Sequence, residues 1–244
     1  MSSHIPLRLV QRRALTASAL HLSFEHAAGE ALAFRAGQFI QLHVVDAHGT
    51  LQRRSYSLAA APQAEGGRWE ILVGLAPGGL ASARLARMEP GETVEATGPF
   101  GRFGLTPRDA APRYLMIATG TGIAPFRALL PELEARAAGG TRVAVLHGVR
   151  DEGQLYFRED FLAAAQRTPG LSYLGCLSRA AGDGCDPPLH AGRVQTALAA
   201  LAPQPSDIAC LCGHPDMVDE VAARLRDAGL PPPAVRRERF TASG

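Results

Sequence analysis

Short runs of alternating apolar and polar residues fill the first hundred positions. LHLSFEHA (20–27), GQFIQLHVV (37–45), RSYSLAA (54–60), RWEILVGL (68–75) and ETVEATGP (92–99) are β-rich, and Gly or Pro punctuates several of the gaps. Strands this short and this regularly spaced predict an antiparallel barrel or sandwich. The one interruption is LASARLARM (80–88), a short helical patch after PGG.

The pattern changes around TPRDAAPRYLMIATG (106–120). Beyond it, apolar strands alternate with helical periods: RYLMIA with FRALLPELEARA, RVAVLHG with REDFLAAAQR, LSYLGCLS with RVQTALAAL, and DIACLCG with MVDEVAARLRDAG. AVRRERF (234–240) reads as a fifth strand. This alternation predicts a parallel sheet with right-handed crossovers. Pro131 is expected to kink or shorten the first helix, and AGDGCDPPLHAG (181–192) reads as a loop. The expected organisation is two-domain: an antiparallel β-barrel over 1–105, a linker over 106–112, and an α/β parallel-sheet domain over 113–244.

Bulk properties exclude several classes. At 244 residues, 46% hydrophobic and 20% charged, the chain has the composition of an ordinary globular protein with room for two modest cores. The formal charge of +2 gives no case for nucleic-acid binding. All 25 basic residues are arginine, a compositional bias that weakens any inference from a single arginine. The N-terminus has no continuous apolar segment, and no run approaches bilayer length, so a cytoplasmic location away from membranes is expected. Cys176, Cys185, Cys210 and Cys212 match neither iron–sulfur nor paired zinc spacing, so free thiols and no metal are expected.

Four stretches carry candidate chemistry. In RRSYSLAAAP (53–62), strand alternation sends Arg54 and Tyr56 to one face and Ser55 and Ser57 to the other. A charge and a ring on one face suit a phosphate joined to a flat heterocycle; a polar edge strand is the alternative. ATGTGIAPFRALL (118–130) follows an apolar strand and opens a helix. Gly120 and Gly122 permit close backbone approach and Pro125 suits the first turn, so the helix start favours a phosphate. Pro125 stands where the dinucleotide fingerprint has its third glycine, and a plain strand–helix turn remains open. APGGLASARL (76–85) offers a second cradle, or only an N-capping Ser82. CGHPDM (212–217) ends a strand where parallel sheets bind ligands, or Cys212 is simply a small buried residue. Arg150 and Arg179 close two strands, with Ser178 and Arg193 nearby, and strand-end arginines suit an adenosine 2′-phosphate.

Together RSYS (54–57), GGLAS (78–82), GPFGRF (98–103), GTGIAPF (120–126), HGVR…LYF (147–157), SR (178–179) and CGHPDM (212–217) resemble the ferredoxin–NADP reductase superfamily, in order and over essentially the whole chain. The resemblance implies FAD as cofactor and NADP(H) as substrate. It implies that Arg54 pairs with the flavin nucleotide's phosphates, with Ser55 beside it. Tyr56 would lie against the isoalloxazine and Ser57 near flavin N5, with backbone contacts from Ile71, Leu72 and Val73. Gly79, Leu80, Ala81 and Ser82 would bind the pyrophosphate, with Ser82 as cap. Gly120, Thr121, Gly122, Gly213 and Met217 would meet the nicotinamide dinucleotide, Thr121 also touching FAD. Arg150, Ser178, Arg179 and Arg193 would surround the 2′-phosphate. Cys212 would border the nicotinamide, Phe240 would cover the flavin, and Glu238 would sit near the reacting rings.

The implied activity is hydride transfer from NADPH to FAD and single-electron delivery to ferredoxin or flavodoxin, by a monomer. The alternatives are a reductase serving an oxygenase, a free-flavin reductase, an electron-transfer subunit of the dihydroorotate-dehydrogenase type and a non-catalytic nucleotide sensor. The subunit type needs a C-terminal cysteine cluster that Cys210 and Cys212 do not make. FMN is disfavoured against FAD by Tyr56 and GGLAS together.

Overall fold

The computed structural model describes residues 4–46, 48–63, 67–75, 78–179 and 189–240. The chain divides into two compact units, one running to Arg102 and one starting at Phe103.

The first unit is an antiparallel barrel of β1 (Ile5–Thr16), β2 (Ala19–His26), β3 (Phe39–Val45), β4 (Leu51–Ser57), β5 (Trp69–Gly74) and β6 (Thr93–Phe100), with helix α1 (Leu80–Arg87) between β5 and β6. The strand order is β4-β3-β6-β1-β2-β5. The outer strands meet just beyond the end of β4: Leu58 bridges Ile71, and the Ala59 amide donates to the Glu70 carbonyl at 2.7 Å. Leu7, Leu9, Phe24, Ile40, Leu42, Trp69, Ile71 and Leu85 fill the interior.

The first strand is an addition to the five predicted here. Leu7 and Leu9 alternate into the core, but the pairing with β2 shifts register between Leu9 and Gln11 and again between Ala14 and Thr16. Those irregularities, and the exposed Gln11, Arg12 and Arg13, break the period-2 signal.

The second unit is a parallel sheet. It contains β7 (Arg113–Thr119), α2 (Ala124–Ala138), β8 (Arg142–Val149), α3 (Arg158–Arg167), β9 (Leu171–Leu177), β10 (Leu189–Ala191), α4 (Val194–Ala200), β11 (Ile208–Gly213), α5 (Pro215–Asp227) and β12 (Val235–Arg239). The order β10-β9-β8-β7-β11-β12 reverses direction between β7 and β11. That reversal opens a crevice at the strands' carboxyl ends, where such sheets take ligands.

Two sequence expectations change here. The expected loop 181–192 contains strand β10, a three-residue edge paired with β9; residues 181–188 lie outside the described residues. Helix α2 is not shortened at Pro131 but continues seven residues past it. Pro131 is solvent-exposed, so the carbonyl its ring displaces can turn towards water.

Two ion pairs, one on the buried Asp207 and one half-buried, fix the base of this sheet. Arg113 binds Asp207 at 2.5 Å and also donates to the Leu201 and Ala202 carbonyls. Arg236 binds both oxygens of Asp109 and the Gly104 carbonyl, tying the stretch before β7 to the last strand. Burial raises the Asp109 pKa, but hydrogen bonds from Arg236 and Thr106 outweigh that and bring it to about 2.

Candidate functional site

In the barrel, β4 lies at the seam. Arg54 stands opposite Leu42, and Tyr56 opposite Ile40. Directly opposed residues share a face, so charge and ring project to the same side, as alternation requires. Tyr56 is half-buried, packed on the barrel core, and burial pushes its phenol up to about 12. It therefore presents a neutral ring over the physiological range. Arg54 donates to the Arg53 carbonyl at 3.1 Å. Ser55 is exposed and Ser57 buried. The bridge from Leu58 to Ile71 brings the end of RSYS beside Ile71, Leu72 and Val73, all buried.

Helix α1 starts at Gly79, which has no capping side chain, after Gly78 at φ +78°. Ser82 is not the cap: it lies in the helix's first turn and its hydroxyl donates to the Gly79 carbonyl at 2.9 Å. The opening amides at Leu80, Ala81 and Ser82 precede any intrahelical acceptor. Open space surrounds the missing Cβ of Gly78. A cation, a neutral half-buried ring and a helix N-terminus are the donor set that a flavin dinucleotide requires, and the residues fit FAD.

In the α/β unit the crevice is built from glycine. Gly120 has φ +54°, and nothing lies within 4 Å of where its Cβ would stand. Residues Gly120–Ile123 form a 3-10 turn that leads into α2, with Pro125 in the first helical turn. Gly122 is pressed against the neighbouring strand end: a Cβ there would lie 2.4 Å from the Cys212 carbonyl oxygen. Gly213 has φ +134°, and a Cβ there would lie 2.3 Å from Thr119 Oγ1. Thus Gly120, Thr121, Gly122, Cys212 and Gly213 converge at the switch point.

Cys212 is fully buried, and burial with Glu238 beside it raises its thiol pKa well above the ordinary value. Glu238 stands opposite it in the β11–β12 register, and the Phe240 amide extends that ladder by donating to the Gly213 carbonyl at 2.8 Å. Met217, in the first turn of α5, packs into the apolar core. Its burial gives it a packing contact rather than an open face.

The phosphate candidates also assemble. The Ser178 amide donates to the Val149 carbonyl at 2.9 Å, and the Arg179 amide to the Arg150 carbonyl at 3.1 Å. Gly192 continues the ladder by donating to Leu177, which places Arg193 at the same edge at the start of α4. Arg150, Ser178, Arg179 and Arg193 are all exposed. Three cations and a hydroxyl on one carboxyl edge suit a phosphate.

Sequence reasoning missed two positions. Thr119 Oγ1 accepts the His214 amide at 2.9 Å and joins the β7 and β11 ends. His147, fully buried on β8, bonds the Gly120 carbonyl at 2.9 Å. A polar residue within the apolar run VAVLHGV was the available signal. Among the described residues no group of three or more His, Cys, Asp or Glu side chains is placed to hold a metal ion, and no helix is long and apolar enough to cross a membrane.

Comparison with known proteins agrees with both halves. Residues 6–104 match the oxidoreductase FAD-binding domain family, and residues 116–223 the oxidoreductase NAD-binding domain family. The chain is 34% identical over 238 residues to a ferredoxin–NADP reductase B of Sorangium cellulosum, covering 96% of each. It is 32% identical to the toluate 1,2-dioxygenase electron transfer component of Pseudomonas putida, covering 95% of this chain and 66% of that one. Among solved structures, an Amycolatopsis cytochrome P450 reductase superposes with TM-score 0.85 at 30% identity, covering 99% of this chain and 72% of the other. Against the oxygenase and demethylase reductase components it matches, the chain spans 56–66% of their length.

The fold and site define a flavoprotein oxidoreductase that binds FAD and a nicotinamide nucleotide and works in electron transfer. The chain belongs to the ferredoxin–NADP reductase family.

Proposed function

We propose that this protein takes electrons from NADPH and delivers them singly to a protein carrier, ferredoxin or flavodoxin. The observation that carries the reading is the edge formed by Arg150, Ser178 and Arg179, whose backbones are joined by the β8–β9 ladder. A 2′-phosphate distinguishes NADPH from NADH, and paired guanidinium groups meet it with charge-assisted hydrogen bonds. The end-to-end match to a ferredoxin–NADP reductase supports the same reading.

FAD, when bound, supplies the conversion between a hydride and single electrons. The protein's own residues bind and orient. Arg54 neutralises phosphate charge, the Leu80–Ser82 amides take the pyrophosphate, and Tyr56 offers a flat neutral face to the flavin ring. Ser57 offers a hydroxyl near flavin N5. The Gly120–Gly122 turn and Gly213 let the nicotinamide nucleotide approach backbone, with Arg193 reinforcing the 2′-phosphate site. Cys212, buried and protonated, shapes the crevice beside the nicotinamide and holds its proton. Glu238 stays next to it, and Met217 anchors the first turn of α5 in the core.

A second reading is a reductase serving an oxygenase, favoured by the matches to oxygenase reductase components. Anaerobic addition of NADPH, and separately NADH, to the purified yellow protein separates the two. Bleaching much faster with NADPH supports the first reading, and preference for NADH moves the protein to the second. A colourless preparation that reduces only added flavin overturns the assignments of Arg54 and Tyr56.

A further inference from the structure

The Gly120 turn is held by a buried side chain on the neighbouring strand, β8. His147 lies in the middle of the sheet, 0% exposed, in register with Ala118 on β7 and Gly175 on β9. Its Nε2 is 2.9 Å from the Gly120 carbonyl oxygen, and its Nδ1 is 3.3 Å from the Tyr173 hydroxyl. A carbonyl oxygen only accepts, so Nε2 carries the proton and Nδ1 accepts from Tyr173. The phenol of Tyr173 is itself fixed: Phe161 stacks on its ring at 5.4 Å.

Gly120 needs such a tether. Its φ of +54° puts it in the left-handed region, and nothing lies within 4 Å of where its Cβ would stand. The amides of Thr121 and Gly122 follow immediately, so the orientation of the Gly120 peptide sets where they point. The bond from His147 adds a side-chain restraint on that carbonyl to the turn's own 3-10 bonding.

We propose that His147 is a positioning residue for nicotinamide-nucleotide binding: Nε2–H anchors the Gly120 carbonyl and thereby aims the following amides at the ligand, with Tyr173 fixing the tautomer. This rests on the dinucleotide reading of the turn. It adds a buried polar relay, Tyr173 to His147 to Gly120, behind the backbone of the turn.

The test uses the full-length FAD-loaded protein. Nucleotide affinity is read from NADP+ difference spectra, turnover from NADPH oxidation with ferricyanide, and folding from urea midpoints. His147→Leu removes the donor and keeps an apolar filler, whereas His147→Gln places an amide donor near the Nε2 position. Loss of one neutral hydrogen bond corresponds to about a tenfold rise in Kd and KM for His147→Leu. Flavin content should stay unchanged, and kcat should fall much less than affinity. His147→Gln should recover most of that affinity, and Tyr173→Phe should give an intermediate loss. A folded His147→Leu protein with wild-type Kd overturns the proposal, as do Leu and Gln variants equally weakened in nucleotide affinity.

Should His147→Leu not fold, 15N-histidine spectra of the wild type decide. Nε2–H with a bare Nδ1, and a shift of that resonance when NADP+ is added, is the expected result. An Nδ1–H tautomer, or no response to saturating NADP+, overturns it. A wild-type protein that binds none of NADP+, NADPH, NAD+ and NADH overturns the dinucleotide reading itself, an outcome separate from any comparison of variants; one that binds only NAD+ and NADH moves the same tests to those nucleotides.

Discussion

Thr119 and Gly213 interlock at the carboxyl ends of neighbouring parallel strands. The Thr119 hydroxyl accepts the His214 amide at 2.9 Å, in space left by the side chain that Gly213 lacks. One glycine thereby lets two turns close against each other at the place where the sheet reverses order.

Three glycines at this switch point should respond differently to alanine. Gly122→Ala puts a carbon 2.4 Å from the Cys212 carbonyl oxygen, and Gly213→Ala one 2.3 Å from Thr119 Oγ1, with the added strain of φ +134°. Each should cost about 3 kcal/mol or more, because backbone cannot step aside cheaply. Gly120→Ala meets open space and should cost about 1–2 kcal/mol, the strain of a left-handed residue. Urea unfolding of the three variants gives the ranking, and Gly120→Ala as the most damaging would contradict it.

Arg179→Ala should weaken NADPH binding by about tenfold to a hundredfold, the worth of a charge-assisted hydrogen bond. NADH binding should change far less, because it lacks the 2′-phosphate. Steady-state KM values for both nucleotides provide the check. Equal losses for the two would remove Arg179 from the phosphate site.

Burial pushes the thiols of Cys176 and Cys210 up to about 12, and that of Cys212 well above its ordinary value. A protonated buried thiol is a poor nucleophile. Cys185 lies outside the described residues, so the measurement belongs in a Cys185→Ser background. At pH 8 the native protein should show no fast reaction with a thiol-specific disulfide reagent, and three equivalents should react once it is unfolded. A fast-reacting native thiol would show that one of these three residues opens to solvent.

Much of this was legible in the sequence, for identifiable reasons. The strands of the α/β unit are continuous apolar runs because both faces of a parallel sheet are covered, and that pattern survives in the chain. The convergence of Gly120, Gly122, Cys212 and Gly213 followed from placing two glycine-bearing turns at strand carboxyl ends. Strand β1 was hidden because its register shifts at Leu9–Gln11 and Ala14–Thr16 break the alternation. Ser82 reads as a cap because serine is a favoured N-cap residue near a helix start, whereas the helix begins two residues earlier, at Leu80. His147 escaped because its role depends on a partner, Gly120, that lies next to it only through strand pairing. The same non-local origin hid the bond from Thr119 to His214.

The buried His147 also predicts a pH dependence of stability. Burial lowers its pKa to about 4, with the Gly120 hydrogen bond opposing the shift, against 6.5 in an unfolded chain. The rings packed near it belong to Tyr156 and Tyr173, and phenols carry no charge in acid. Between pH 6.5 and 4 the unfolded state binds a proton that the native state refuses, so stability falls as pH falls. The interval of 2.5 units corresponds to about 3 kcal/mol, absent above pH 6.5 and complete near pH 4. Asp109 acts in a lower window, because its native pKa of about 2 makes its contribution disappear only as the medium becomes more acid still. Urea unfolding of wild type and His147→Gln at half-unit steps from pH 7 to pH 4 isolates the histidine. The wild type should lose about 3 kcal/mol more than the variant across that range, and parallel curves would show that His147 charges freely in the native protein.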